Sequence, residues 1–236
     1  MNNQDKGDFT MLMEKERNQI AEYGRQMSAA RLCNGTSGNI SILDPKTGYM
    51  AISPSGVDYM DTRPEDVVVV DLEGNVIEGS CKTSSEAGMH AAFYKAKAQE
   101  GCLSIVHTHS MYATTLACMG EPLRAVHYVI ASAGVDTVPL CPYTTFGTPE
   151  LAKLAVETCK KGRAVLLANH GLVAMGINIQ KAFGLAKNLE YLAQLQFQCM
   201  AAGKMNVLTS EQIDKVMVRF QTYGQTTAAP GSLNSY

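Results

Sequence analysis

Five histidines occur in the 236-residue chain: His90, His107, His109, His127 and His170. Two of them stand as His107-Thr108-His109 at the end of the apolar run Leu103-Ser104-Ile105-Val106. Residues i and i+2 of a strand project to one face, so both imidazoles can reach a single ion. His170 follows a second apolar run, Val165-Leu166-Leu167-Ala168, and precedes Gly171. It too sits at a predicted strand end, where sites form in sheets covered by helices. Three imidazoles suit Zn2+ and leave positions for an acidic ligand, water or substrate. A hydrogen-bonded structural pair fits the same residues, and the spacing alone leaves both readings open. His90 lies four residues after Glu86 on one predicted helix face, as a ligand or as a buried, hydrogen-bonded histidine. His127, beside Tyr128, has the same two readings.

Two segments have the chemistry to bind an anion. Gly35-Thr36-Ser37-Gly38-Asn39 offers backbone N–H groups, hydroxyls and an amide among glycines. Thr83-Ser84-Ser85 opens a predicted helix, whose first N–H groups and dipole attract phosphate. Ser53-Pro54-Ser55-Gly56 is a third possible wall. Each segment is equally readable as an ordinary turn or cap. No GxxxxGK[ST] loop occurs. With no Lys or Arg in these segments, and with the adjacent Lys82 read as solvated, a phosphate cradle would rely on backbone dipoles and a nearby dication.

The elements that must carry these residues alternate in type. Apolar positions Leu12, Ile20, Tyr23, Met27 and Ala30 predict an amphipathic helix over 11–31. Strands are predicted over 40–43, 49–52, 67–72, 76–77, 103–109, 164–168 and 172–175. Helices are predicted over 86–99, 111–119 and 179–202. Several strands adjoin through tight turns, which predicts a mixed sheet covered by helices on both faces, an α/β chain. No Pro/Ser/Gly-rich linker divides the sequence, so one domain over 1–236 is expected, with a polar, mobile tail over 224–236.

Bulk composition narrows the partners. Hydrophobic residues make up 46% and charged residues 18%, enough apolar material for a sizeable core. The formal net charge is −2 and no Lys/Arg run occurs, which argues against nucleic acid and anionic membrane as partners. The first residues hold no apolar signal region, and no run is long enough to span a bilayer. Seven cysteines without a CxxC pair read as reduced thiols of a cytoplasmic protein.

Taken in order, Gly-Thr-Ser-Gly-Asn-Ile-Ser (35–41), Ser-Pro-Ser-Gly (53–56), Ser-Ser-Glu (84–86), His-Thr-His (107–109) and Asn-His-Gly (169–171) resemble the class II aldolase/epimerase family. The resemblance runs from about residue 20 to 224. Within the family, residues 125–148 and 220–224 are similar to the enzymes that cleave L-fuculose 1-phosphate. It implies a three-layer α/β/α fold with a mostly antiparallel sheet, and a ring-shaped homotetramer with sites between subunits. It implies zinc on His107, His109 and His170, with Glu86 as a fourth, displaceable ligand and the catalytic base. It implies phosphate on Thr36, Asn39, Ser84 and Ser85, with Gly56 nearby. Tyr128 would be a catalytic acid contributed by the neighbouring subunit, and Phe146 and Tyr223 would line the aldehyde end. The implied reaction is reversible cleavage of a small sugar phosphate to dihydroxyacetone phosphate and L-lactaldehyde. The residues after Tyr223 contain no Lys or Arg, unlike aldolase tails that carry a basic residue, so a charge-neutralising tail does not carry over. Relatives that act as L-ribulose-5-phosphate 4-epimerase carry Thr-His-Ala-Asp after the HxH; here that region reads Arg124-Ala125-Val126-His127-Tyr128-Val129. A methylthioribulose-1-phosphate dehydratase would use a similar metal site. Adducin-like scaffolds lose the metal-site residues, which this chain keeps.

Overall fold

Backbone pairing explains the order of the strands. In the computed structural model, which describes residues 11–222, helix α1 (Glu14–Ala29) leads into β1 (Asn39–Asp44). Asp44 turns the chain, accepting from Lys46 N at 3.0 Å and from the Thr47 hydroxyl at 2.9 Å. The chain returns as β2 (Tyr49–Ile52), and β3 (Val68–Val70) and β4 (Val76–Glu78) extend the sheet outward. Helix α2 (Ala87–Lys97) crosses to β5 (Ser104–Thr108), which is followed by α3 (Met111–Cys118). Strands β6 (Leu123–Arg124) and β7 (Thr137–Val138) pair with each other beside the main sheet. Then come β8 (Leu140–Cys141), α4 (Pro149–Thr158), β9 (Ala164–Leu167), β10 (Gly171–Gly176), α5 (Ile179–Ala201) and α6 (Ser210–Phe220). The main sheet runs β4-β3-β2-β1-β5-β10-β9-β8, antiparallel throughout except for the β8–β9 pair. It is mixed and mostly antiparallel, as expected.

Alternation along the strands feeds two apolar clusters. Ile40, Ile42, Ala51, Val106, Leu166 and Leu172 join Ile20 and Met27 of α1, Leu116 of α3, Leu189 of α5 and Ile213 of α6. The residues between them, Leu43, Met50, Ile52, Ile105, Val165 and Val173, join Met89, Phe93 and Tyr94 of α2 and Leu151 of α4. Buried Ser41 interrupts the second cluster. Its hydroxyl lies 2.6 Å from His90 Nδ1 and 2.7 Å from the Tyr94 hydroxyl, so the polar atom is satisfied by α2.

Each predicted element occurs, with shifts at the ends: the first helix starts at Glu14, and the strand predicted over 67–72 narrows to Val68–Val70. Helices α4 and α6 were not anticipated, although both carry start signals. Thr148 caps α4, accepting from Leu151 N at 3.2 Å, with Pro149 next. Thr209 and Gln212 form a capping box on α6. The strands β6–β8 are two residues each, too short for a periodicity to register. The tail over 224–236 and Tyr223 lie outside the described residues. Among those described, no helix is long and apolar enough to cross a membrane, and all seven cysteines are free.

Gly171 marks the tightest approach in the sheet. A Cβ built there would stand 2.2 Å from the Thr108 carbonyl oxygen and 3.1 Å from His109 Cδ2. Gly171→Ala must therefore push β10 from β5. We expect a loss of about 1–3 kcal/mol, the usual range for overpacking, read as a lower urea midpoint; an unchanged midpoint would contradict the contact.

Candidate active site

Pairing of β5 with both neighbours sets the first ligand. His107 faces Asn39 of β1 on one side and Val173 of β10 on the other. It shares a sheet face with Ile105, which packs in the α2 cluster. His109 lies one residue beyond β5, in the connection to α3. His170 sits in the three-residue connection from β9 to β10, where Asn169 takes φ 56°. Asn adopts that left-handed conformation more readily than most residues. The three rings form a nearly equilateral triangle, with centroids 4.8, 4.9 and 4.8 Å apart and ring planes steeply inclined. Glu86, the N-cap residue of α2, closes the group.

The donor atoms fit one cation. His107 Nε2 is 3.0 Å from His109 Nε2 and 3.2 Å from Glu86 Oε2, and His170 Nε2 is 3.2 Å from Glu86 Oε1. One ligand atom from each residue lies within 4.8 Å of every other. Donors bound at 2.0–2.1 Å to a tetrahedral centre stand roughly 3.3 Å apart, which matches. His107 Nδ1 is 3.0 Å from the Leu172 carbonyl, so this nitrogen donates and Nε2 keeps its lone pair toward the cluster. Glu86 Oε1 is buried with no hydrogen-bond donor of its own, an orphan that a cation would satisfy.

Electrostatics point the same way. Burial opposes charge on Glu86, but His107, His170 and the Asn39 amide outweigh it and hold the carboxyl well below the usual carboxylate range. Burial likewise lowers His107, while the Glu86 carboxylate raises it to a net upward shift. Burial and the neighbouring imidazoles push His109 down to about 3 and His170 to about 4. The site thus stabilises one carboxylate and resists more than one added proton. A single cation shared by all four donors removes that conflict.

The three expected anion segments come together beside this cluster. Ser53 Oγ accepts from Ile40 N at 3.1 Å, Pro54 bridges to Thr83, and Ser55 N donates to Lys82 O at 2.9 Å. Gly38, at φ 76°, passes over His107 so closely that a Cβ would stand 2.6 Å from its carbonyl oxygen. Thr36, Gly56 and Ser85 are exposed, whereas Asn39 and Ser84 are buried. Both buried residues also hold the carboxylate-bearing residue. Asn39 Nδ2 donates to Glu86 Oε2 at 2.8 Å, and Ser84 Oγ accepts from Glu86 N at 3.2 Å. Lys82 is exposed.

Other expected residues stand apart. Tyr128 is 48% exposed, its ring against His127 at 4.5 Å and Phe220 at 6.3 Å. It lines a groove of about 600 Å³ with Arg163, Lys181 and Phe220, and none of the four clustered side chains lines that groove. Phe146 is 63% exposed, and the adjoining Gly147 brings its loop against the Ser85 carbonyl. His90 is not in the cluster; it is buried on Ser41, the second of its two expected readings. Tyr59 was not anticipated. Its hydroxyl donates to Gly38 O at 2.7 Å and so anchors the loop from below, a contact for which the sequence offers no local signal.

Comparison with known proteins gives the arrangement a family. Residues 18–197 match the family described as class II aldolase and adducin N-terminal domain. A 5-deoxy-D-ribulose 1-phosphate aldolase of Bacillus thuringiensis serovar kurstaki is 46% identical over 91% of this chain and 100% of its own. An L-fuculose phosphate aldolase of Escherichia coli O157:H7 is 36% identical over 87% of this chain and 94% of its own. A solved L-fuculose 1-phosphate aldolase superposes with TM-score 0.84 at 38% identity, covering 87% of this chain and 96% of the other. With the histidines and the carboxylate converging as they do, the chain belongs to the class II aldolase and adducin N-terminal domain family, and within it to the aldolases, the carbon–carbon lyases.

Proposed function

We propose that this aldolase is a cytoplasmic, single-domain zinc enzyme that cleaves 5-deoxy-D-ribulose 1-phosphate to dihydroxyacetone phosphate and acetaldehyde. The observation that carries the reading is the four-donor cluster lying beside hydroxyl-rich segments, one of which, Thr83–Ser85, leads into α2. Zinc suits three imidazoles and a carboxylate at these spacings. The seven free thiols fit a reducing compartment. The 46% relative favours the five-carbon sugar over L-fuculose 1-phosphate, the substrate expected from the sequence. The two ketoses share carbons 1 to 3 and a terminal methyl, and differ by one hydroxymethylene in the aldehyde half.

In this reading, backbone N–H groups and the hydroxyls of Thr36, Ser84 and Ser85 hold the phosphate, beside Asn39 and Gly56, aided by the α2 dipole. Bound zinc supplies Lewis acidity for the negative charge that develops at the ketone oxygen. In condensation the Glu86 carboxylate takes a proton from C3 of dihydroxyacetone phosphate, and the Tyr128 hydroxyl gives its proton to the aldehyde oxygen as the C3–C4 bond forms. Solvent carries the proton from Glu86 back to Tyr128, and cleavage runs the same transfers in reverse. Phe146 lines the aldehyde end. Tyr128 is half-exposed on a groove that none of the four clustered side chains lines, which supports delivery by a neighbouring copy in a homotetramer. The three-layer α/β/α arrangement rests on the two apolar clusters and the likeness to the solved aldolase.

Two measurements test the proposal. In a panel of ketose phosphates assayed for released dihydroxyacetone phosphate, 5-deoxy-D-ribulose 1-phosphate should exceed L-fuculose 1-phosphate in kcat/KM by about tenfold or more, as one substituent in a fitted pocket allows. The reverse order transfers the assignment to the six-carbon sugar, and no release from any member sinks the reading. Glu86→Gln should retain metal yet slow proton exchange on dihydroxyacetone phosphate by roughly 10²–10⁴-fold. Tyr128→Phe should impair cleavage far more than that exchange; equal losses in both assays would remove its assigned part.

A further inference from the structure

Helix α3 begins two residues after His109, and its start is held in an unusual way. Ser110 occupies the N-cap with extended backbone, yet its side chain makes no cap hydrogen bond. The hydroxyl is buried and turned to Thr108 Oγ1 instead, 3.4 Å away. A helix start leaves its first N–H groups without partners, and one that packs against another helix needs them satisfied. Glu190 of α5 supplies the acceptors. Its two carboxylate oxygens take the N–H groups of Tyr112 and Ala113, at 2.8 and 2.9 Å. These are the second and third residues of the helix, the donors that a local Ser, Thr, Asp or Asn cap would serve. A carboxylate at this end also meets the positive pole of the helix dipole.

We propose that Glu190 is a positioning residue for His109. Of the three histidines, His107 is fixed by pairing on both sides of β5, and His170 by the tight connection into β10. His109 has left the β5 pairing, whose register with β10 ends at Thr108. Its place is set by β5 behind it and by the start of α3 ahead of it. Glu190 ties that start to α5, a 23-residue helix packed on the sheet. The ligand ring is thereby aimed at its partners by a carboxylate some eighty residues away that does not touch the metal donors. The inference rests on the metal-site reading above, and the test separates the two.

The measurement is the dissociation constant for Zn2+, by competition with a chromophoric chelator on the folded full-length chain, together with the visible spectrum of the Co2+ form. Wild-type protein that binds neither ion would overturn the metal-site reading itself. Given wild-type binding, Glu190→Ala should weaken Zn2+ about 10–100-fold, the usual effect of losing a group that orients a metal ligand. It should also alter the Co2+ spectrum. Glu190→Gln, which keeps one good acceptor, should fall between Glu190→Ala and wild type. Thr209→Ala removes the cap of α6, and it controls for general loss of stability. It should lower the urea midpoint and leave both metal readouts unchanged. Glu190→Ala binding within twofold of wild type, or a metal loss no greater than that of Thr209→Ala, overturns the proposal. If Glu190→Ala fails to fold, Glu190→Gln decides by the same comparison: a loss of threefold or more supports the role, and an unchanged constant ends it.

Discussion

Antiparallel pairing of β5 with β1 on one side and β10 on the other is the constraint on which the site depends. The register sets His107 between Asn39 and Val173, so one row of the sheet carries both a ligand and the amide that holds Glu86. The same pairing brings the β9–β10 connection, with His170, level with the end of β5. Backbone hydrogen bonds of this kind define position to within a fraction of an ångström once the strands are buried on both faces. The glycines at 38 and 171 permit close approaches over His107 O and Thr108 O.

Around that frame, polar side chains act as struts inside apolar clusters. Asn39, Ser41 and Ser84 are buried, and each meets the segment that carries Glu86 or its helix. Burying a polar group costs free energy unless it is hydrogen-bonded, and each of these three makes at least one such bond to that segment or helix. Gln196 of α5 does similar service on the other face. It is fully buried, accepting from Arg124 N at 2.7 Å and donating to Pro122 O at 2.9 Å, and thus fixes the strand that leads to His127 and Tyr128.

Much of this could be read from the amino-acid order, and the remainder fails for definable reasons. His107 and His109 announced themselves by i, i+2 spacing at a strand end, although His109 proves to lie just past the last paired residue. Glu86 carries no local mark of its function; only motif resemblance pointed to it, because its place comes from α2 docking on β1. Helices α4 and α6 were legible too: cap residues stand in plain view at Thr148 and Thr209, each ahead of an amphipathic stretch. Glu190 and Gln196 read as polar positions on an amphipathic helix, since their partners are backbone atoms more than seventy residues away. Sequence patterns report what a segment does with itself; they are silent on backbone groups recruited from afar.

The clustered donors and the residues proposed for the aldehyde end rest on different kinds of structure. The four clustered donors and the amide beside them lie on paired strands and the residue after one of them, a tight hairpin and the start of α2. Tyr128 and Phe146, by contrast, stand on a short 3-10 segment and an irregular loop, and both are largely open to solvent. Changes of length or composition in those loops leave the sheet register untouched. On the proposed assignment, the aldehyde end can therefore be remodelled by loop replacement alone, without moving the four-donor cluster.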